Sequence, residues 1–393
     1  MGSYSRAVGE VDTTRMYWDL LGENNLYTAG GESGAVLYHE HVCSAVLTEI
    51  EGLVKKIGKS KSKGYTIKSD ALMKRTILKE TVLSRSHDSL IGLFSALSPD
   101  LEYSEHIEVF REVYLSLELD KKYFRTKFSN YRFELWGDVY NQFVDLVRKK
   151  LKSSQFRRQL HRRTLKAKRN FHSGKKYIDD LFSRYSRLMT LRVDFGYRSE
   201  INTRLEGGTS EFPLAGLAGQ SAHLVIKDSV KEGKEHLKAV KKDFARFLNN
   251  KRSQKLFEHL VGYIWKLEYG ESKGYHYHVI FFYDGAKCYR DVHYARQLGE
   301  YWVKVTKGRG IYYNCNANKE SYKSCGIGMV SHDDLGSRSG LLFALKYMAK
   351  SEQFLRARFS KRERTFGTAV VKPKTKSKSG RPRKVTNSFE VEC

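Results

Sequence analysis

Apolar positions recur every three to four residues along much of the N-terminal third of the chain. Val36, Leu37, Val42, Ala45, Val46, Ile50 and Val54 share one face of a helix drawn over residues 35–56, and the period resumes through 72–97, 107–119 and 133–147. It is broken at Ser98-Pro99-Asp100. The pattern predicts a helical domain over residues 35–147, preceded by a Gly/Ser-rich polar arm at 1–34. This part of the chain offers no constellation of reactive side chains. Residues 148–176 keep the helical period but carry a single apolar stripe, Phe156, Leu160, Leu165 and Phe171, on a basic surface, which predicts a linker helix.

Beyond residue 177 the period changes. Residues 188–194 predict a strand, 224–226 a short second strand at an edge, and 229–249 a helix whose apolar side is Val230, Leu237, Val240, Phe244 and Phe247. Strands follow at 260–268 and 275–283 around a turn at 269–274, then a helix at 290–305, a Gly-interrupted strand at 327–330 and a helix at 341–359. The order β-α-β-β-α-β-α predicts an α+β domain over 177–360, a ferredoxin-like βαββαβ unit with an antiparallel sheet and one further helix. Residues 361–393 are rich in Lys, Ser, Pro and Gly and predict a flexible basic tail.

Composition adds a partner class. The chain has 393 residues, 71 Lys and Arg against 44 Asp and Glu, and a formal net charge of +27. Hydrophobic residues make up 40% and aromatic residues 13%, with only four prolines, which predicts a folded rather than a disordered chain. No apolar run approaches the roughly 20 residues of a membrane span, and the N-terminus has no hydrophobic signal core, so a cytoplasmic protein without membrane association is expected. Five scattered cysteines suggest neither a disulfide framework nor a Cys-x-x-Cys zinc site. The charge is concentrated: residues 148–176 carry 13 Lys and Arg and no acid, and residues 361–393 carry 10 against 3. Such blocks point to a polyanion, nucleic acid ahead of a membrane surface, with a solvated basic face as the alternative. The candidate contacts are Arg157, Arg158, Arg162, Arg163, Lys166, Lys168 and Arg169 on the linker helix. In the tail, Arg381 and Arg383 of Gly380-Arg381-Pro382-Arg383-Lys384 resemble the core of a peptide that enters an A·T-rich minor groove.

The strongest local chemistry is His276-Tyr277-His278. Two residues apart on a strand, the imidazoles point to one face. If 260–268 and 275–283 form a hairpin around Glu271-Ser272-Lys273, with Gly270 and Gly274 flanking the loop, Glu268 falls opposite His276 and Lys266 opposite His278. Glu268, His276 and His278 then offer two imidazoles and a carboxylate with open positions, a donor set suited to Mg²⁺ or Mn²⁺. A second pair, His39-Glu40-His41, lies in a helical stretch, where residues two apart diverge.

A metal centre beside a basic surface suggests phosphodiester chemistry, which needs a nucleophile. No Ser/His/Asp arrangement or phosphate-binding glycine loop supplies one. Tyr-x-x-Lys occurs four times, at Tyr65, Tyr263, Tyr301 and Tyr347, and would place a cation one helical turn from an attacking phenol. Tyr65 belongs to the N-terminal region and Tyr263 to the strand leading to Glu268. Tyr347, with Lys350, is preferred because its helix can face the metal side. Tyr301 is the alternative nucleophile, on a helix expected to cover the sheet.

His276-Tyr277-His278 with a downstream Tyr-x-x-Lys resembles the HUH endonuclease superfamily, and the spacing to Glu268 is similar to that in initiators of small circular DNA viruses. The run from Arg184-Tyr185-Ser186-Arg187-Leu188 to Tyr197, and that from Val261 through Glu268-Tyr269-Gly270 to Gly285, resemble inovirus-type replication proteins and prophage relatives with a YagK/YfjJ-like C-terminal domain. The likeness covers about residues 177–370. It implies a single-tyrosine DNA nickase and strand transferase that starts rolling-circle replication in a bacterial cytoplasm. Glu268, His276 and His278 would hold the metal, Tyr347 would form a 5′-phosphotyrosine and free a 3′-hydroxyl, and Lys350 would assist. The implied partners are single-stranded or hairpin origin DNA, with a host helicase and polymerase, since the chain has no helicase-type phosphate loop. A non-catalytic DNA-binding regulator, or a transposase or relaxase with the same chemistry, are the other readings. Asp194 stays unassigned among core, metal-shell and DNA-facing roles.

Overall fold

A computed structural model describes residues 26–28, 35–37, 40–70, 75–86, 89–95, 97, 101–119, 133–197, 222–250, 253–270, 274–322, 325–350, 355–357 and 364–370. The expected N-terminal arm contains a strand, β1 (Leu26–Thr28), which pairs antiparallel with β2 (Ala35–Leu37). Val36 and Leu37 are therefore extended, and the first helix, α1 (Glu40–Lys59), starts after them. His39 lies outside the described residues.

The region expected to be wholly helical is mixed. β3 (Tyr65–Asp70) and β4 (Arg75–Glu80) form an antiparallel hairpin, followed by a short α2 (Leu90–Ser95) and β5 (Leu101–Tyr103). The hairpin strands carry Thr66, Ile67, Thr76 and Ile77, β-branched residues that favour extended backbone over helix. α3 (Glu105–Ser116) and α4 (Phe133–Leu151) match the remaining helical expectations to within a few residues. Ile50, Val54 and Ile57 of α1, Ile107, Phe110 and Tyr114 of α3, and Phe143 and Val147 of α4 form a buried core. Arg148 Nε donates to the carbonyls of Ile57 (3.3 Å) and Ser60 (3.1 Å), so this member of the basic block caps α1.

The basic helix is α5 (Ser154–Phe182). Ser153 caps it by accepting a hydrogen bond from the Phe156 N–H at 3.1 Å, and the helix runs past residue 176 because Tyr177, Ile178, Leu181 and Phe182 pack under the sheet that follows.

That sheet is built from β6 (Arg187–Tyr197), β7 (Leu260–Gly270) and β8 (Gly274–Asp284), with α6 (Ala222–Asn249) between β6 and β7. α7 (Asp291–Val305) leads to β9 (Gly310–Asn314) and β10 (Gly328–Ser331); α8 (Leu335–Ala349), β11 (Leu355–Ala357) and β12 (Phe366–Thr368) follow. Three expectations fail here, the first being a flexible tail from residue 361, because Phe366–Thr368 form β12 and pair with β7. Residues 224–226 lie inside α6, because three apolar residues carry no period of their own. The helix expected at 341–359 spans Leu335–Ala349, and β11 pairs with β5 beyond it.

The strand order is β12-β7-β8-β6-β9-β1-β2, antiparallel throughout, giving a mixed α/β architecture. β10, at the place expected for the closing strand, instead shares the edge of β6 with β9: it pairs with residues 187–190 and β9 with residues 193–197. Asn316 fills the gap between them, accepting from the Arg192 N–H (2.9 Å) and donating to the Thr190 carbonyl (3.1 Å). α6 and α7 cover one face of the sheet, over Phe195, Tyr277 and Phe281. α5 and α8 cover the other, over Leu188, Ile264, Ile280 and Phe282. Among the described residues no helix is long and apolar enough to cross a membrane.

Candidate metal centre

The hairpin has the register that strand alternation requires. Gly270 pairs with Gly274, Glu268 with His276 and Lys266 with His278, and only beyond Gly262 does a bulge shift the pairing. Residues 271–273, expected as the loop, lie outside the described residues. Gly274 has φ +62°, a left-handed conformation that a side chain would strain. On the other side of β8, Asp194 pairs with His278. Alternation then delivers Arg192, Asp194, Lys266, Glu268, His276 and His278 to the face covered by α5 and α8.

Glu268 Oε2 lies 3.3 Å from His278 Nε2 and 3.9 Å from His276 Nε2. One donor atom from each of the three residues falls within 4.8 Å of the others, and no other His, Cys, Asp and Glu group among the described residues does so. Ligands of an octahedral ion held at about 2.1 Å sit roughly 3 Å apart, so a small inward shift would bring all three onto one cation. At the outer nitrogens, His276 Nδ1 is 3.1 Å from the Gly274 carbonyl and His278 Nδ1 is 2.8 Å from Asp194 Oδ1. With Nδ1 as the donor in each ring, the Nε2 lone pair is left for a metal, the arrangement that orients metal-binding histidines. The donor set fits a divalent cation. Both imidazoles are 7% exposed while Glu268 keeps 26%, so the centre opens at the carboxylate.

The electrostatics follow from burial and proximity. Burial pushes the Glu268 and Asp194 carboxyls up, but His278, with Lys266 at one and Arg192 at the other, holds both well below the usual carboxylate range. Burial pushes His278 down, yet the two carboxylates outweigh it and raise the imidazole to about 9. Two cations are buried with them: Arg192 is 6% and Lys266 1% exposed, with Arg192 Nε 3.5 Å from Asp194 and Lys266 Nζ 3.9 Å from Glu268. With His278 neutral, as a metal would require, the charges balance two against two, and an added divalent ion would leave room for an anion.

Tyr347 is brought to this centre. Its ring meets that of His278 edge-on with centroids 6.3 Å apart, and the Arg192 guanidinium lies 5.5 Å over it. Tyr301 is across the sheet, where its hydroxyl accepts from Asn250 Nδ2 at 2.8 Å and its ring packs on Phe247 and Phe257. α8 ends at Ala349 with Lys350 as its C-cap (φ −54°, ψ 141°), and the Lys350 N–H donates to the Tyr347 carbonyl at 3.3 Å, one helical turn back. Its carbonyl accepts from Lys266 Nζ at 2.6 Å. Burial and the like charge of Lys346 lower the pKa of its ammonium.

The YagK/YfjJ C-terminal domain model matches residues 138–369, well over half of the chain. The chain belongs to the YagK/YfjJ C-terminal domain family. No curated protein and no solved structure matches it. The YagK/YfjJ match begins within α4, so it takes in the whole of α5 and every strand of the sheet except β1 and β2.

On that helix the cationic residues divide. Arg157, Arg158, Arg162, Lys168 and Arg169 are exposed and make no ion pair among the described residues. Arg163 is spent on Glu105 of α3 at 2.8 Å, and Lys166 Nζ is turned to Thr365 Oγ1 at 3.4 Å. Arg381 and Arg383 lie outside the described residues. Sequence reasoning missed Arg192 altogether and left Asp194 without a role. The readable signal was two charges at alternate positions of an otherwise apolar strand.

Proposed function

We propose that this YagK/YfjJ domain is a metal-dependent, site-specific single-strand DNA endonuclease and strand transferase of the HUH type, initiating rolling-circle replication of a phage or mobile element. The observation that carries the reading is the placement of Tyr347 beside the Glu268–His276–His278 group on one sheet face, with Tyr301 on the other. The connection β6-α6-β7-β8-α7-β9, with sheet order β7-β8-β6-β9, supports a ferredoxin-like core for it.

Mg²⁺ or Mn²⁺ bound by Glu268, His276 and His278 would polarise the scissile phosphodiester. Tyr347 Oη would then bond to phosphorus as the bond to the 3′-oxygen breaks, leaving a 5′-phosphotyrosine and, once the phenol proton has been passed on, a 3′-hydroxyl. Arg192, over the ring, would offset negative charge gathering on the phenol oxygen and the phosphate. Asp194 would keep His278 in its ligating tautomer. The exposed cations of α5 would hold flanking DNA, and a host helicase and polymerase would supply unwinding and synthesis.

The test is incubation with labelled single-stranded DNA of the protein's own element and Mn²⁺. A slow-migrating covalent species is expected, lost on chelation and in Tyr347→Phe, and kept in Tyr301→Phe. The reverse pattern would move the nucleophile to α7. DNA binding without any adduct would favour a non-catalytic regulator.

A further inference from the structure

A buried ammonium is costly unless charge and hydrogen bonds compensate it, and Lys266 is among the most deeply buried large side chains of the protein. Its Nζ donates to the Lys350 carbonyl at 2.6 Å and lies 3.9 Å from Glu268 Oε1. The last carbonyls of a helix lack partners and carry partial negative charge. At the end of α8 they are answered from two other elements: Asn170 Nδ2 of α5 reaches the Ala349 carbonyl at 3.4 Å, and Lys266 of β7 takes that of Lys350. Tyr347 stands on the last turn of that helix, and Glu268 is two residues beyond Lys266 on the same strand face. One ammonium thus spans from the strand carrying a metal ligand to the helix carrying the tyrosine.

We propose that Lys266 is a positioning residue, a latch that holds the C-terminal end of α8 against β7 and so keeps Tyr347 in register with the Glu268–His276–His278 centre. The proposal rests on reading Tyr347 as the nucleophile. It has a consequence that a general support role would not share. A positive charge 3.9 Å from Glu268 repels an incoming cation. Removing the latch therefore lowers the transfer rate without lowering metal affinity.

Lys266→Met keeps the stem and deletes the charge; Lys266→Arg keeps the charge but cannot place it at the same point. Three readouts apply to each: Mn²⁺ affinity by calorimetry, amide hydrogen exchange over residues 345–350 without metal, and adduct formation at saturating Mn²⁺. In Lys266→Met, Mn²⁺ is expected to bind as tightly or up to about tenfold tighter. The last turn of α8 should exchange about tenfold faster, and adduct should form about 100-fold more slowly, as expected for a displaced reacting group. Lys266→Arg should recover part of the rate and the protection. Should Lys266→Met not fold, Lys266→Arg carries the comparison alone, with losses of the same sign. Wild-type adduct rates in these variants would overturn the latch. So would a rate loss matched by an equal loss of Mn²⁺ affinity, which would make Lys266 a support for the ligands. If the unaltered protein forms no adduct, the nuclease reading fails, and exchange alone decides: equal protection of α8 with and without Lys266 removes the latch as well.

Discussion

On the α6/α7 side of the sheet, Phe195 stacks on Trp302 at 5.0 Å and meets Phe247 at 5.1 Å, while Tyr277 stacks on Phe244 at 4.0 Å. Two polar groups there are tied off: Trp302 Nε1 donates to the Gly196 carbonyl and the Tyr197 hydroxyl to Asp243, each at 3.1 Å. The opposite face uses the alternate residues of the same strands. It is equally apolar at Leu188, Ile264, Ile280 and Phe282, then turns ionic at Arg192, Asp194, Lys266, Glu268, His276 and His278. Thr190 Oγ1, Arg192 Nε, Asp194 Oδ1 and His278 Nδ1 find no well-aligned hydrogen bond there, although His278 and Asp194 approach to 2.8 Å. One face is committed to packing. The other holds an incompletely satisfied set of charges, the condition in which a bound cation has most to add.

Substitutions on the two faces should therefore fail in different ways. Trp302→Ala is expected to cost about 3–5 kcal/mol of stability through its cavity. Tyr347→Phe should cost less than about 1 kcal/mol, yet lower adduct formation about a thousandfold or more. Urea titration and adduct gels measure the two axes. A large stability loss in Tyr347→Phe would mean that α8 is part of the packing face in all but position.

The ionic face should respond to metal where the packing face does not. Mn²⁺ at 100 times its Kd should stabilise the fold by about 2.7 kcal/mol, roughly 5–10 °C in Tm for a domain of this size. His278→Ala should abolish the gain. No shift in the wild type would recast the cluster as a hydrogen-bonded network that needs no ion.

How much of this contrast was legible in the sequence depends on the range of the interaction. The hairpin was legible because strict alternation, a three-residue loop and Gly270 and Gly274 define its register; the bulge at Val261 was not. β9 was missed because Gly310-Ile311-Tyr312-Tyr313-Asn314 is five residues with no alternation. β4 was read as helix because its few apolar residues also satisfy a period of three to four within 72–97, and β3 fell between the periodic stretches. The approach of Arg192 to Tyr347, and of Lys266 to the end of α8, joins residues far apart in the chain through tertiary packing, which no local pattern encodes. The ending of α8 at Ala349 belongs to the same class.

A half-buried histidine and a buried one extend the comparison to the N-terminal region. His106 on α3, edge-on to Phe156 at 5.1 Å, is pushed down to about 4 by burial and by Lys55, whereas His278 is raised to about 9 by its carboxylates. Below pH 6.5 the unfolded chain protonates His106 before the folded protein does, so stability falls as pH drops, by about 2 kcal/mol between pH 7 and 5. His278 acts oppositely in the metal-free protein: its contribution is complete below pH 6.5 and is lost as pH rises through about 9. Urea midpoints in chelator across this range should decline at both ends. His106→Gln should flatten the acid limb and His278→Gln the alkaline one; a single limb responding to both variants would show that the regions do not titrate independently.

The smallest expected effect separates neighbours on α5. Arg162 is exposed, while Arg163 pairs with Glu105 at 2.8 Å and joins α5 to α3. Arg162→Gln should leave the melting temperature within error, weaken binding to single-stranded DNA and reduce the slope of log affinity against log salt by about 0.7, the contribution of one phosphate contact on a single strand. Arg163→Gln should leave that slope unchanged and cost about 1 kcal/mol of stability, because a half-buried pair loses one member and Glu105 is left without it. Equal slopes for both variants would place the DNA elsewhere. A slope change only in Arg163→Gln would mean that the ion pair opens when DNA binds.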